Sequence, residues 1–207
     1  MNIIPGILAK TPKQLREQLK KVSWAKKVHI DIMDGLFVPN KTITTKELKK
    51  LTIKQKIQIH LMAKQPEKYL LDLIEIGAKE IIIHAESTKR AKEIIQFIKI
   101  QKIKAGIALN PTTKPSKCKD AIKSADICLL MTVNPGFSGQ KFKPKPLDKI
   151  KQVRKINSNA TIGIDGGINL KTCWRAKTKK ADFCVATSAC TLTKNPKQAF
   201  KELRKCK

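Results

Sequence analysis

At 207 residues the chain is long enough for one well-buried core, too short for two comfortable domains, and near the lower limit for a complete (β/α)8 barrel. Lys and Arg outnumber Asp and Glu by 44 to 16, a formal net charge of +28, yet the lysines are scattered along almost every predicted helix and aromatic residues make up only 4%. That pattern argues against a basic nucleic-acid-binding arm or a base-stacking platform, and leaves only salt-sensitive attraction to polyanions.

No apolar run approaches the ~18–20 residues of a membrane span. The N-terminus, Met-Asn-Ile-Ile-Pro-Gly-Ile-Leu-Ala-Lys, lacks the basic and apolar regions of a secretion signal. The six cysteines (118, 128, 173, 184, 190 and 206) show no CxxC and no zinc-knuckle pairing, and Cys128 and Cys184 fall inside apolar runs. Reduced thiols in a soluble, cytoplasmic protein without membrane partners are the expectation.

The first apolar run covers residues 3–9, and Leu15, Leu19 and Val22 then form a helical stripe. The second run, 27–33, puts His29, Asp31 and Met33 on one face of a strand and Ile30 and Ile32 on the other, because strand side chains alternate. The third, 57–62, repeats this with His60 and Met62 around Leu61. Leu70, Leu73, Ile74 and Gly77 follow as a helical stripe, a fourth run at 80–84 ends on His84, and Ala91, Ile94, Ile95 and Ile98 mark a half-buried helix. Runs at 104–109 and 127–131 close on Asn110 and Met131. The turn-rich stretch Asn134-Pro135-Gly136-Phe137-Ser138-Gly139-Gln140 comes next, a mobile lid or a long connection. The seventh run, 161–165, ends on Asp165 and leads through Gly166-Gly167-Ile168-Asn169 toward a helix. The eighth, 182–186, precedes Thr187-Ser188-Ala189, where another short helix opens.

Eight strands alternating with helical stretches imply a parallel sheet, since parallel neighbours need crossovers. With no linker or composition break, residues 1–207 read as a single-domain α/β protein, a (β/α)8 TIM barrel, with an open doubly wound sheet as the structural alternative. Barrel active sites lie at the carboxyl ends of the strands, and the chemistry-bearing residues close their runs. Besides the initiator, the only methionines are Met33, Met62 and Met131, all at such ends. Two imidazoles and two carboxylates (His29, Asp31, His60 and Asp165) suit one divalent ion: zinc, iron(II), manganese or cobalt. The Gly-rich strand-to-helix turn at 165–169 offers backbone N–H groups to a phosphate, and barrels recurrently place a phosphate site after strands seven and eight, here 165–169 and 186–189. Asp34 reads as a turn-former with Gly35, and His84 as a structural hydrogen-bonding group.

The chain resembles the ribulose-phosphate 3-epimerase family over nearly its whole length. The resemblance rests on His-Ile-Asp-Ile-Met-Asp-Gly-Leu-Phe-Val-Pro-Asn (29–40), His-Leu-Met (60–62), His-Ala-Glu (84–86) and Leu-Asn-Pro (109–111). Met-Thr-Val-Asn-Pro-Gly-Phe-Ser-Gly-Gln (131–140) and Asp-Gly-Gly-Ile-Asn (165–169) complete it. It implies a metal held by His29, Asp31, His60 and Asp165, and interconversion of D-ribulose 5-phosphate and D-xylulose 5-phosphate, with Asp31 and Asp165 as the acid/base pair. It further implies a thioether cap from Met33, Met62 and Met131, a closing loop at Gly136, Phe137, Ser138 and Gly139, and phosphate contacts from Gly166, Gly167, Thr187 and Ser188. Family members assemble as homo-oligomers.

Several positions depart from the family pattern. Gly6 stands where a substrate-contacting serine is usual, Thr187-Ser188 replaces a Gly-Ser pair, and Ser138 replaces a lid glycine. Leu36 replaces a frequent His, and Gly163 replaces a polar residue on the face of Asp165. None removes a metal ligand or catalytic carboxylate. The resemblance thus implies a working enzyme on a small-molecule sugar phosphate, with no specific nucleic-acid partner. Epimerisation of a related ketose such as D-allulose 6-phosphate is one alternative, and a non-catalytic, RNA-binding basic barrel is another.

Overall fold

The computed structural model describes residues 1–206. Eight parallel strands close into a barrel in sequential order: β1 (Asn2–Ile7), β2 (Lys27–Met33), β3 (Lys56–Met62), β4 (Glu80–His84), β5 (Lys104–Leu109), β6 (Ile127–Met131), β7 (Thr161–Asp165) and β8 (Phe183–Ala186), with β8 hydrogen-bonded to β1. The helices α1 (Pro12–Lys21), α2 (Thr45–Lys49), α3 (Leu70–Glu75), α4 (Ala91–Ile100), α5 (Lys119–Ser124), α6 (Lys149–Ile156), α7 (Cys173–Thr178) and α8 (Pro196–Arg204) follow the strands in turn. The closed ring excludes the open doubly wound sheet. No helix among the described residues is long and apolar enough to cross a membrane.

Local chemistry starts the helices where the sequence changes period. Thr11 accepts the Gln14 N–H at 3.2 Å and Pro12 occupies the first turn of α1, where a missing N–H costs nothing. Thr44 and Glu47 form a reciprocal capping box on α2. Such caps contribute about 1 kcal/mol each, so burial against the barrel must hold the short helices in place.

The alternation of the strands divides the core in two. Ile30, Ile32, Ile59, Leu61, Ile81 and Ile83 point outward and pack under the helices. Ile4, Ile82, Ala108, Ile127, Leu129, Met131, Phe183 and Val185 fill the barrel itself. Gly163 is part of that filling, because a Cβ there would lie 2.2 Å from the Phe183 ring. The position that sequence comparison marks as a lost polar group is thus taken by a buried phenyl, whose burial contributes about 2–3 kcal/mol.

The glycine turn after β7 follows the expected order of strand, turn and helix. α7 begins only at Cys173, so Gly166 and Gly167 form a turn and not a helix N-terminus. Their φ angles of +108° and +66° account for glycine at both places. After β8, residues Thr187–Thr191 form the expected short helix as a wide π-type turn.

Candidate metal centre and active site

Strand register brings the four candidate ligands together. His29 and Asp31 project inward from β2, His60 lies opposite Asp31 on β3, and Asp165 closes β7 beside Met131. His29 and His60 are fully buried and Asp31 nearly so. Thr42 fixes the end of β2 by donating to the Asp31 carbonyl (3.0 Å) and accepting the Met33 N–H (2.9 Å). Thr132 does the same for β7, donating to the Asp165 and Gly166 carbonyls at 2.9 and 2.5 Å.

One ligand atom from each residue lies within 4.8 Å of all the others. His29 Nε2 is 3.4 Å from Asp31 Oδ1 and 3.9 Å from Asp165 Oδ2, while His60 Nδ1 is 3.0 and 3.4 Å from the same two oxygens. Four ligands at metal-bond length around a tetrahedral ion are about 3.3–3.6 Å apart, so the cluster is already near the required size. His29 Nε2 is buried and has no hydrogen-bond partner, which is costly for an imidazole nitrogen unless a cation completes it. The donor set therefore fits one divalent ion.

The electrostatics point the same way. Burial alone would raise the Asp31 pKa, but the neighbouring His29 and His60 imidazoles outweigh it and hold the carboxyl well below its usual range. Burial alone would lower the His60 pKa, yet its bonds to Asp165 and Asp31 take it up to about 9. A proton on His60 thus balances the two carboxylates where a metal would otherwise do so. Behind it, His60 Nε2 lies 2.9 Å from His84 Nε2, and His84 Nδ1 lies 3.2 Å from Glu86 Oε2. Burial and the neighbouring His60 keep His84 below its ordinary pKa, so a neutral His84 accepts from His60 and donates to Glu86.

A cleft opens above the ligands at the carboxyl ends of the strands. Asp31 and Asp165 form its floor with Met33, Met62 and Met131, and one side is walled by Gly136, Phe137, Ser138 and Gly139. Gly166, Gly167, Thr187 and Ser188 line the other side. His29 and His60 are fully buried and do not line the cleft. The 134–140 loop is tied down: Asn40 Nδ2 donates to the Gly136 carbonyl (2.6 Å), and Gln140 Nε2 donates to the carbonyls of Asn134 (2.6 Å) and Phe137 (2.9 Å). Asp34 accepts the N–H groups of Leu36, Phe37 and Lys64, which places it in the turn and away from the ligands. Leu36, 74% exposed, does not line the cleft.

Gly6 does not reach the cleft either, for a reason not visible in the sequence. A Cβ at residue 6 would lie 2.0 Å from Thr187 Oγ1, so the threonine hydroxyl occupies the volume a side chain at 6 would need. The two departures are one complementary exchange. Sequence reasoning also missed Thr42, Thr132, Gln58 and Glu80, whose roles depend on cross-strand neighbours.

A family model described as the ribulose-phosphate 3-epimerase family matches residues 2–191. The chain belongs to the ribulose-phosphate 3-epimerase family. A ribulose-phosphate 3-epimerase of Bacillus subtilis (strain 168) is 36% identical over 213 residues, covering 99% of this chain and 98% of the relative. One from Escherichia coli (strain K12) is 34% identical over 211 residues, covering 98% and 94%. Among solved structures, 3-hexulose-6-phosphate synthase from Salmonella typhimurium superposes with a TM-score of 0.72 at 15% identity, over 98% of this chain and 96% of that one. At that identity it supports the barrel fold alone.

Proposed function

We propose that the chain interconverts D-ribulose 5-phosphate and D-xylulose 5-phosphate by moving a proton at carbon 3, with Asp31 and Asp165 as the acid/base pair. The observation that carries the reading is the convergence of His29, Asp31, His60 and Asp165 within 4.8 Å of one another, with both carboxylates lining the cleft and His29 Nε2 left orphaned. One carboxylate removes the proton from carbon 3, and the electron pair moves toward the carbonyl to give an enediolate. The other, starting as a carboxylic acid, returns a proton to carbon 3 from the opposite face and inverts the centre. The reverse reaction exchanges the roles.

His29, Asp31, His60 and Asp165 would hold one divalent ion, whose chemistry when bound is to offset the charge on the substrate oxygens. Met33, Met62 and Met131 lie against the reacting carbon and exclude water from it, and the Met33–Met62 pair already packs against Val38. Gly166 and Gly167 offer backbone N–H groups to the phosphate, joined by Thr187 and Ser188. Gly136, Phe137, Ser138 and Gly139 cover the substrate from the far side. The same reading carries a cytoplasmic location, consistent with six free cysteines, and assembly as a homo-oligomer.

Turnover in deuterium oxide tests the mechanism. Deuterium is expected at carbon 3 of product and recovered substrate, and at no other carbon. Product formed with carbon 3 fully protonated would contradict proton exchange through Asp31 and Asp165. Faster turnover of D-allulose 6-phosphate would move the assignment to the six-carbon ketose.

A further inference from the structure

The barrel interior holds a second buried polar chain, running from His29 away from the cleft toward the amino-terminal mouth. His29, Gln58 and Glu80 are register partners on β2, β3 and β4, so their side chains form one row across the inner wall. His29 Nδ1 lies 2.6 Å from Gln58 Oε1, Gln58 Nε2 donates to Glu80 Oε2, and Lys27 Nζ donates to Glu80 Oε1 at 2.5 Å. Gln58 is 1% exposed and Glu80 7%.

The direction of each bond follows from what each group can do. A carboxylate only accepts, so the Gln58 amide must turn its NH2 toward Glu80. Its carbonyl then faces His29, which can meet it only by donating from Nδ1. A neutral imidazole with its proton on Nδ1 has its lone pair on Nε2, the atom left without a partner beside Asp31 and Asp165. Lys27 keeps the far end of the chain charged and paired.

The geometry points to Glu80 as a positioning residue for the metal centre: acting through Gln58, it locks His29 in the tautomer that presents Nε2 to the ion. The inference rests on His29 being a metal ligand, as in the function proposed above. His60 has a parallel device, with Glu86 acting through His84. Each histidine of the cluster thus ends in a carboxylate one group removed. A carboxylate behind a ligating histidine raises its basicity and fixes its ring, and losing such a partner typically weakens metal binding about 10–100-fold.

Histidine-selective 15N NMR of the metal-free chain reads the tautomer directly, and zinc affinity is measured by competition with a chromophoric chelator. In the wild type, His29 is expected to carry its proton on Nδ1. Glu80→Gln frees the Gln58 amide to turn, so the Nδ1–H signature is lost or mixed and zinc affinity falls about 10–100-fold. The exchanged pair, Gln58→Glu with Glu80→Gln, restores the polarity: Lys27 donates to the new amide carbonyl, the amide N–H donates to the new carboxylate, and that carboxylate accepts from His29 Nδ1. Both tautomer and affinity should return toward wild type in the exchanged pair. A buried polar plug with no bearing on His29 would show no such rescue. A wild-type His29 protonated on Nε2 overturns the inference whether or not any variant folds, as does a Glu80→Gln protein with unchanged tautomer and affinity. Failure of the wild type to bind zinc, with the Nδ1–H tautomer present, would instead count against the metal site and the function built on it.

Discussion

Replacing Gly6 by Ser should destabilise the protein, and replacing Thr187 by Gly should largely reverse the effect. The new Cβ would lie 2.0 Å from Thr187 Oγ1, 3.0 Å from Val185 Cγ1 and 3.1 Å from Thr187 Cβ, whereas ordinary contact begins near 3.4 Å. The hydroxyl cannot swing far, because Thr187 is fixed between β8 and the π-type turn and Gly6 between β2 and β8. Overpacking of this kind costs about 1–3 kcal/mol. At about 2–4 °C per kcal/mol for a chain of this size, Gly6→Ser should lower Tm by about 4–8 °C for a cost near 2 kcal/mol. Thr187→Gly alone loses a half-buried side chain and frees the backbone, at about 1 kcal/mol. If the two side chains compete for one volume, the double variant should be more stable than the sum of the single changes by at least about 1 kcal/mol. Urea unfolding of the four proteins measures this coupling. Additivity within about 0.5 kcal/mol would refute the idea that the two positions are one exchange.

Proton competition at His60 sets the pH dependence of metal loading. With the metal-free pKa up at about 9, apparent zinc affinity should fall about tenfold for each pH unit below that value, and flatten above it. A pH-independent affinity between 6 and 8 would contradict the proton-for-metal exchange. The same group links stability to pH in the metal-free protein. Its folded pKa lies above the unfolded 6.5, so its contribution is complete below 6.5 and is lost as pH rises through about 9. His60→Gln should therefore flatten the alkaline fall in stability seen by urea unfolding. The cysteines should be inert: burial pushes the thiols of Cys128 and Cys173 up to about 12 and that of Cys190 up to about 11, and raises Cys184 as well. A chromogenic disulfide should label at most Cys118 rapidly in the native protein, and rapid labelling of four or more thiols would show a looser barrel.

The barrel was legible because its strands are short apolar runs of four to seven residues bounded by lysine-rich amphipathic stretches, and seven of the eight begin and end within a residue of the sequence reading. β1 is the clearest difference, ending at Ile7 because Leu8 turns toward the cleft and bonds Gln18 of α1. The metal-ligand candidates were legible in part: alternation on one strand pairs His29 with Asp31, whereas the register of β3 and the closure of the barrel were needed to bring His60 and Asp165 to the same point. Gln58 and Glu80 were not legible, although each lies two places before a histidine or isoleucine on the inner face. Their significance comes from register between neighbouring strands, which no single strand reveals. The fit of Gly6 to Thr187 was hidden for the same reason, since only ring closure between β1 and β8 brings the two ends of the chain into contact. Gly166 and Gly167 were legible as a turn between strand and helix, because a glycine pair there suits the positive φ that both adopt.

The most direct test of the account is the rate of conversion of D-ribulose 5-phosphate to D-xylulose 5-phosphate by purified protein, stripped of metal and then reloaded with iron(II), zinc, manganese or cobalt, beside Asp31→Asn and Asp165→Asn. The account predicts turnover that requires metal and falls by at least about 10²–10⁴-fold in either variant, since each carboxylate carries a proton the other cannot deliver. Folded, metal-loaded protein without turnover, or a variant that keeps wild-type turnover, would contradict it.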